Sequence, residues 1–240
     1  MNEAWKSKPG QEGLHVMSDT KASPNAGAQA QDFVLLKVEL ATDHVLPPVT
    51  RSLIVPRQAT LGWIHAVIQV AMGWTNSHLH QFRVDGDSIS APEFELQEFE
   101  DDPPVRDETA VTLGEVLDAR PTHLTYEYDF GDSWHHVLHV EALPQGSAPV
   151  AKRAICVAGA RACPPEDCGG IGGYQQLLAI LSNRRHPEHR SMKEWLGRPF
   201  DPAAFSVKDT NRFLAMIRWP KVSSVGLAKV LMARDGVQDG

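Results

Sequence analysis

Residues 124–143, LTYEYDFGDSWHHVLHVEAL, constrain the fold more than any other stretch. Leu124, Tyr126, Tyr128 and Phe130 fall on one side of an extended chain, and beyond a Gly131–Asp132 turn Trp134, His136, Leu138 and Val140 do the same. A period of two on both sides of a turn specifies a hairpin with one apolar face, and that face needs a second layer over it. The same parity places His136 among the apolar side chains and sends His135 and His139 to the opposite face with Glu141.

The rest of the chain supplies sheet partners and a cover. In DFVLLKVEL, Leu36, Val38 and Leu40 alternate with Lys37 and Glu39, and RSLIVP, closed by Pro56, reads as a second strand. Thr60 is placed to cap a helix running to Met72, with Leu61, Ile64, Ile68 and Met72 on one stripe and Gly73 at the left-handed cap position. LHQFRVDG is a third strand and turn, and TLGE at 112–115 matches a capping box. Three further helices follow: one with Tyr174, Leu177, Leu178 and Leu181 in line, one between Pro187 and Gly197, and one capped by Ser206 with Asp209. The expected fold is therefore α+β. A mixed or antiparallel sheet opens strand–strand–helix–strand, and the C-terminal portion is helical. Residues 1–30 read as a disordered leader, 31–218 as one α+β domain and 219–240 as a C-terminal tail.

Charge narrows the function classes. A net charge of -7 gives no general attraction to polyanions, so nucleic-acid binding would rest on a local basic patch. The one concentration is NRRHPEHRSMKEW, with Arg184, Arg185, His186, His189, Arg190 and Lys193, although Glu188 and Glu194 interrupt it and favour a solvated helix face. Residues 93–108 carry eight acids and one arginine, which points to an exposed connection. No run is long and apolar enough for a membrane span, and three cysteines fit a reducing compartment, so a cytoplasmic protein is expected.

Cys156, Cys163 and Cys168 are spaced C-x6-C-x4-C, and thiolates are favoured donors for zinc, which takes four tetrahedral ligands. His136, on the inward face of its strand, is the expected fourth ligand, with Asp129 or Asp132 fixing its tautomer. Ordinary packing of buried thiols competes with this reading. So does a metal-free one, in which Cys163 or Cys168 near a helix N-terminus is a reactive thiolate and His136 its base. Asp129 and Asp132 also form a candidate acid/base pair, although Asp beside Gly is a frequent turn former. The glycines of CGGIGG lack the lysine of a phosphate loop, and DFG lacks the companion motifs of a kinase.

These expectations give a zinc-stabilised module that binds a protein or small-molecule partner. The alternatives are a hydrolase or thiol-dependent enzyme using Asp129, Asp132, His136 and Cys163, and nucleic-acid binding through Arg184–Lys193.

PPVTRSLIVP, ATLGWIHAVIQVAMGW, YEYDFGDSWHH, CVAGARACPPEDCGGIGGY and HPEHRSMKEWLGRPFDP, in unbroken order over residues 33–217, resemble the plasmid ORF-three-like family, also labelled a transposon passenger family. The hairpin motif carries over onto Asp129, Phe130, Gly131, Asp132, Trp134 and His136. The cysteine motif carries over onto Cys163 through Gly170. This chain has Thr50, Ser52 and His135 where the family pattern has Trp, Arg and an acid. The resemblance implies an α+β domain of bacterial mobile-element context and brings no settled activity.

Overall fold

The computed structural model describes residues 33–42, 47–94, 96, 103–121, 123–143 and 153–238. The leader expected at 1–30 and the middle of the acidic run lie outside them. The strands are β1 (Phe33–Leu40), β2 (Thr50–Pro56), β3 (His80–Val84), β4 (Asp87–Ser90), β5 (Arg106–Asp107), β6 (Leu124–Tyr128), β7 (Trp134–Ala142) and β8 (Ile155–Ala160). They form one mixed sheet in the order β5-β4-β3-β6-β7-β1-β2-β8, antiparallel except for the β4–β5 pair. The fold is α+β, as the strand and helix signals require.

The hairpin lies at the centre of this sheet. Tyr126 pairs with His136 and Tyr128 with Trp134 across β6–β7, while Leu40 pairs with His136 and Val38 with Leu138 across β1–β7. Cross-strand partners share a face. Phe82, opposite Tyr126, and Arg51, opposite Val38, therefore join the covered side. All of these side chains are buried.

The cover is α1 (Leu61–Met72), with Thr60 accepting from the Trp63 N–H and Gly73 at φ 105 donating to the Gln69 carbonyl. The amphipathic stripe expected from the sequence is too narrow, because every residue of α1 except Gly62 is buried, including His65 and Gln69. Its second side is covered by α5 (Val207–Leu214) and α6 (Ser224–Gln238). Helix α6 occupies the segment read as a tail, and it buries Leu227, Val230 and Leu231 in the core. The capping box at Thr112 opens α2 (Leu113–Asp118) as expected. α3 (Gly170–Ser182) and α4 (His189–Leu196) follow the cysteine segment.

Phe130 departs from the hairpin pattern: it is 36% exposed, because β6 ends at Tyr128 and Asp129 turns the chain with a left-handed φ of 58. The acidic run also ends differently from a solvated loop, since Arg106–Asp107 add a sheet edge and Glu108 is buried. Cys156 lies within β8, an edge strand. There the Asn211 side chain of α5 accepts from the Cys156 N–H (2.8 Å) and donates to its carbonyl (2.7 Å).

The glycines at the start of α3 have a steric role. Gly170 has φ 64, and a Cβ there would lie 2.6 Å from the Asp132 carbonyl oxygen; one at Gly173 would be driven into the carbonyl of Cys168. Only glycine permits the hairpin turn and the cysteine loop to approach this helix so closely. Gly173→Ala is expected to lower stability in urea unfolding by about 1–3 kcal/mol through overpacking. Gly172→Ala, with nothing within 4 Å of its added methyl, should raise stability by up to about 1 kcal/mol through helix propensity.

Candidate functional site

Three segments distant in sequence meet at the turn of the hairpin. Beyond α1, the Thr75 N–H and hydroxyl donate to Glu166 Oε1 (2.6 and 2.9 Å), and the Ser77 N–H donates to the Tyr128 hydroxyl (3.0 Å). That hydroxyl in turn donates to Glu166 Oε1 (3.1 Å), which fastens the cysteine loop to the sheet. Trp74 Nε1 adds a bond to the Pro164 carbonyl (3.2 Å). In the turn itself, Asp129 Oδ1 accepts from the Gly131 and Asp132 N–H groups, which fixes its other oxygen toward His78.

Around His78 Nε2 stand three carboxylates: Asp167 Oδ1 at 3.2 Å, Asp129 Oδ2 at 3.6 Å and Glu166 Oε2 at 3.7 Å. Ligand atoms of His78, Asp129 and Asp167 all lie within 4.8 Å of one another. Donors about 2.0–2.2 Å from one tetrahedral ion are separated from each other by about 3.3–3.6 Å, and the Asp167 and Asp129 oxygens stand 3.2 and 3.6 Å from His78 Nε2, close to that separation. The Asp129 side chain is only 8% exposed while that of Asp167 is 73% exposed, giving a buried floor and an open mouth. Among the described residues no lysine or arginine pairs with these carboxylates. Among the described residues their crowding is therefore relieved by no lysine or arginine, and a divalent ion would relieve it. One imidazole with carboxylate oxygens suits Zn²⁺ or Mn²⁺.

His78 and Asp129 also line a cleft of about 870 Å³, within the range of small-molecule sites. Deeper in the same cleft are His65, His80 and Glu108. The His65 and His80 rings stack at 3.4 Å with a 7° interplanar angle. His65 Nε2 donates to Asn76 Oδ1 (2.7 Å), which leaves Nδ1 to accept from the Tyr126 hydroxyl (2.9 Å). Gln69 closes the ring by donating to that hydroxyl (3.0 Å) and accepting from the Asn76 N–H (3.0 Å). Every partner is satisfied only if His65 is neutral. Burial agrees, lowering its pKa to about 3.

His80 Nε2 lies 2.7 Å from Glu108 Oε2. Burial pushes the Glu108 carboxyl up to about 7 and His80 down to about 3, favouring a neutral pair in which the carboxyl O–H donates to the ring. Such a carboxyl is a proton donor stored in the wall of the cleft.

The thiols and His136 expected to hold zinc are not brought together. Among the described residues, the one group of three candidate ligand atoms within 4.8 Å contains neither a cysteine nor His136. Cys156 is packed in β8 with its thiol on the Ala158 carbonyl. Burial raises the pKa of all three thiols, that of Cys168 to about 12, which opposes a reactive thiolate. His136 is wholly buried, donates Nδ1–H to the Tyr126 carbonyl (3.2 Å) and packs edge-on to Trp74; burial lowers its pKa to about 3. Asp132 turns away from Asp129 and accepts from the Gly169 N–H (3.2 Å) at the start of α3. Of the sequence candidates, Asp129 alone enters the cluster. The basic run lies in and around α4, which has no buried residue, and Arg190 there pairs with Glu194.

Fold and site together define an α+β protein whose sheet hairpin, helix-exit loop and cysteine loop gather one imidazole and three carboxylates at the mouth of a ligand-sized cleft. The chain belongs to the plasmid pRiA4b ORF-3-like protein family, whose pattern matches residues 32–209. Over 179 residues it is 34% identical to the uncharacterized protein y4hQ of Sinorhizobium fredii, covering 74% of this chain and 89% of that one. It is also similar to the crystal structure of MM3350, a protein of unknown function from Methanosarcina mazei Go1. There the identity is 31% and the TM-score 0.61, over 74% of this chain and 96% of the other. Among the described residues no helix is long and apolar enough to cross a membrane.

The Glu108 carboxyl gives a pH signature. Its pKa is about 7 in the fold against 4.5 ordinarily, so between these values the folded chain holds a proton that the unfolded chain has released. The resulting stabilisation is complete below about pH 4.5 and is lost as pH rises through about 7. Glu108→Gln cannot ionise. Relative to the native chain it should gain up to about 3 kcal/mol between pH 4.5 and 8 in urea unfolding. The same difference at both pH values would refute the neutral pair.

Proposed function

We propose that this protein binds one divalent cation on His78, Asp129 and Asp167, with Glu166 alongside, and uses it to bind and hydrolyse a small polar substrate in the adjoining cleft. The observation that carries this reading is the convergence of three carboxylates on one imidazole nitrogen at the edge of a cavity that also contains the buried Glu108 carboxyl. A bound cation would polarise a water or a substrate oxygen. Asp129 is held rigid by the turn N–H groups it accepts, and Glu166 is oriented by Thr75 and Tyr128, so the donors need little rearrangement. Glu108 has the protonation needed to give a proton to a leaving group, and its contact with His80 holds it in place. Phe130, exposed at the turn, forms part of the cleft wall.

Calorimetric titration of chelator-treated protein with ZnCl₂ and MnCl₂ tests the reading. About one ion per chain is expected, with affinity lowered about tenfold or more in His78→Ala and in Asp129→Asn. Cys163→Ser should leave affinity unchanged. No binding to the native chain, or binding abolished by Cys163→Ser and indifferent to Asp129→Asn, would reject this site.

A further inference from the structure

A second cleft, of about 600 Å³, lies against the C-terminal end of α1, the Cys163–Glu166 stretch and the segment joining α4 to α5. Arg51 lines it, although the residue is only 2% exposed. Its Nε donates to the Ala71 carbonyl (2.6 Å), and Nη1 donates to the carbonyls of Thr50 (2.7 Å) and Ala160 (3.0 Å). The Phe205 ring lies 4.0 Å from the guanidinium carbon. Three of five N–H groups are thus used. The second terminal nitrogen, Nη2, has no acceptor among the described residues, and no carboxylate there pairs with the charge.

A buried arginine is ordinarily paired with an anion. The neighbouring thiols of Cys156 and Cys163 do not serve, because burial favours their neutral form. The carbonyl end of α1 offers only about half a negative charge. Glu166 also lines the cleft, but its carboxylate is held by Thr75 and Tyr128. Asp201 and Asp209 are exposed on its rim, where the Asp201 side chain accepts from the Ala203 N–H. Against these stand the Arg51 charge in the wall, a buried Arg234 that donates to the Trp74 carbonyl, an exposed Arg198, and the apolar rings of Phe200, Phe205 and Trp195.

We infer that this cleft binds a small organic oxyanion, a carboxylate or phosphate monoester on an apolar body, with the anion on Arg51 Nη2 and the apolar body against the rings. Since Nε and Nη1 are engaged, the guanidinium presents one nitrogen rather than its two-pronged fork. The contact is therefore through Nη2 alone, and affinity depends on the aromatic wall as well as on charge.

Calorimetry with phenyl phosphate, benzoate and neutral benzamide on the full chain at low ionic strength provides the test. At least one anion should bind about tenfold or more tightly than benzamide, and the stronger of the two tells phosphate from carboxylate. Arg51→Gln should erase that preference; if this variant fails to fold, Phe205→Leu should weaken the preferred anion about threefold or more. Asp129→Asn, which removes a donor of the other cleft, should leave anion binding unaltered, so the two sites stand or fall separately. Benzamide binding as tightly as the anions, no binding of either anion, or full preference in a folded Arg51→Gln would overturn the inference.

Discussion

Glu166 accepts from the backbone and hydroxyl of Thr75, 91 residues away, and from the hydroxyl of Tyr128, 38 residues away. That hydroxyl also accepts from the Ser77 N–H, so the helix exit, the central hairpin and the cysteine loop are tied at one point. The positions of His78, Asp129 and Asp167 follow from this junction. Bonds to an ionised carboxylate are about twice as strong as neutral ones, which makes Glu166 a suitable fastening. Trp74, on Pro164, fixes the same loop two residues before Glu166.

The first cleft sets two opposite electrostatic environments side by side. At its mouth, carboxylates crowd an imidazole and need added positive charge. In its depth, His65, His80 and Glu108 are desolvated, which keeps both imidazoles neutral and shifts the Glu108 carboxyl toward its neutral form. The closed ring of Asn76, His65, Tyr126 and Gln69 fixes the tautomer of His65 against the stacked His80. A carboxylate-rich mouth and a desolvated interior thus occupy different ends of one cavity.

Much of this architecture was legible in residue order. The Tyr126–His136 alternation, the Thr60 and Thr112 caps, the left-handed Gly73 and the Ser206 cap all reflect local chemistry, and local chemistry decided them. Helix α6 was not legible, because its apolar residues make sense only against α1. The site was half legible. Asp129 stood out in its motif, and Glu166 and Asp167 sat between the two cysteines that drew attention to thiol chemistry. His78 carries no local pattern. His65 and Gln69 did leave a signal, since both are polar residues four apart on the Leu61 stripe of a helix buried on all sides, and His80 falls in register with the covered face of β3. Arg51, in line with Leu53 and Val55 on the covered face of β2, left the same signal. Polar side chains at positions whose parity demands burial mark the walls of the two clefts better than the cysteines do.

The clasp of Asn211 on the backbone of Cys156 has an effect beyond holding α5 in place. An outermost strand ordinarily offers a row of free amides and carbonyls to any passing chain. Here a carboxamide occupies both groups of one residue near the start of β8, imitating the strand that would otherwise bind there. Growth of the sheet by edge-to-edge association between molecules is obstructed at that point, without recourse to a charge or a proline.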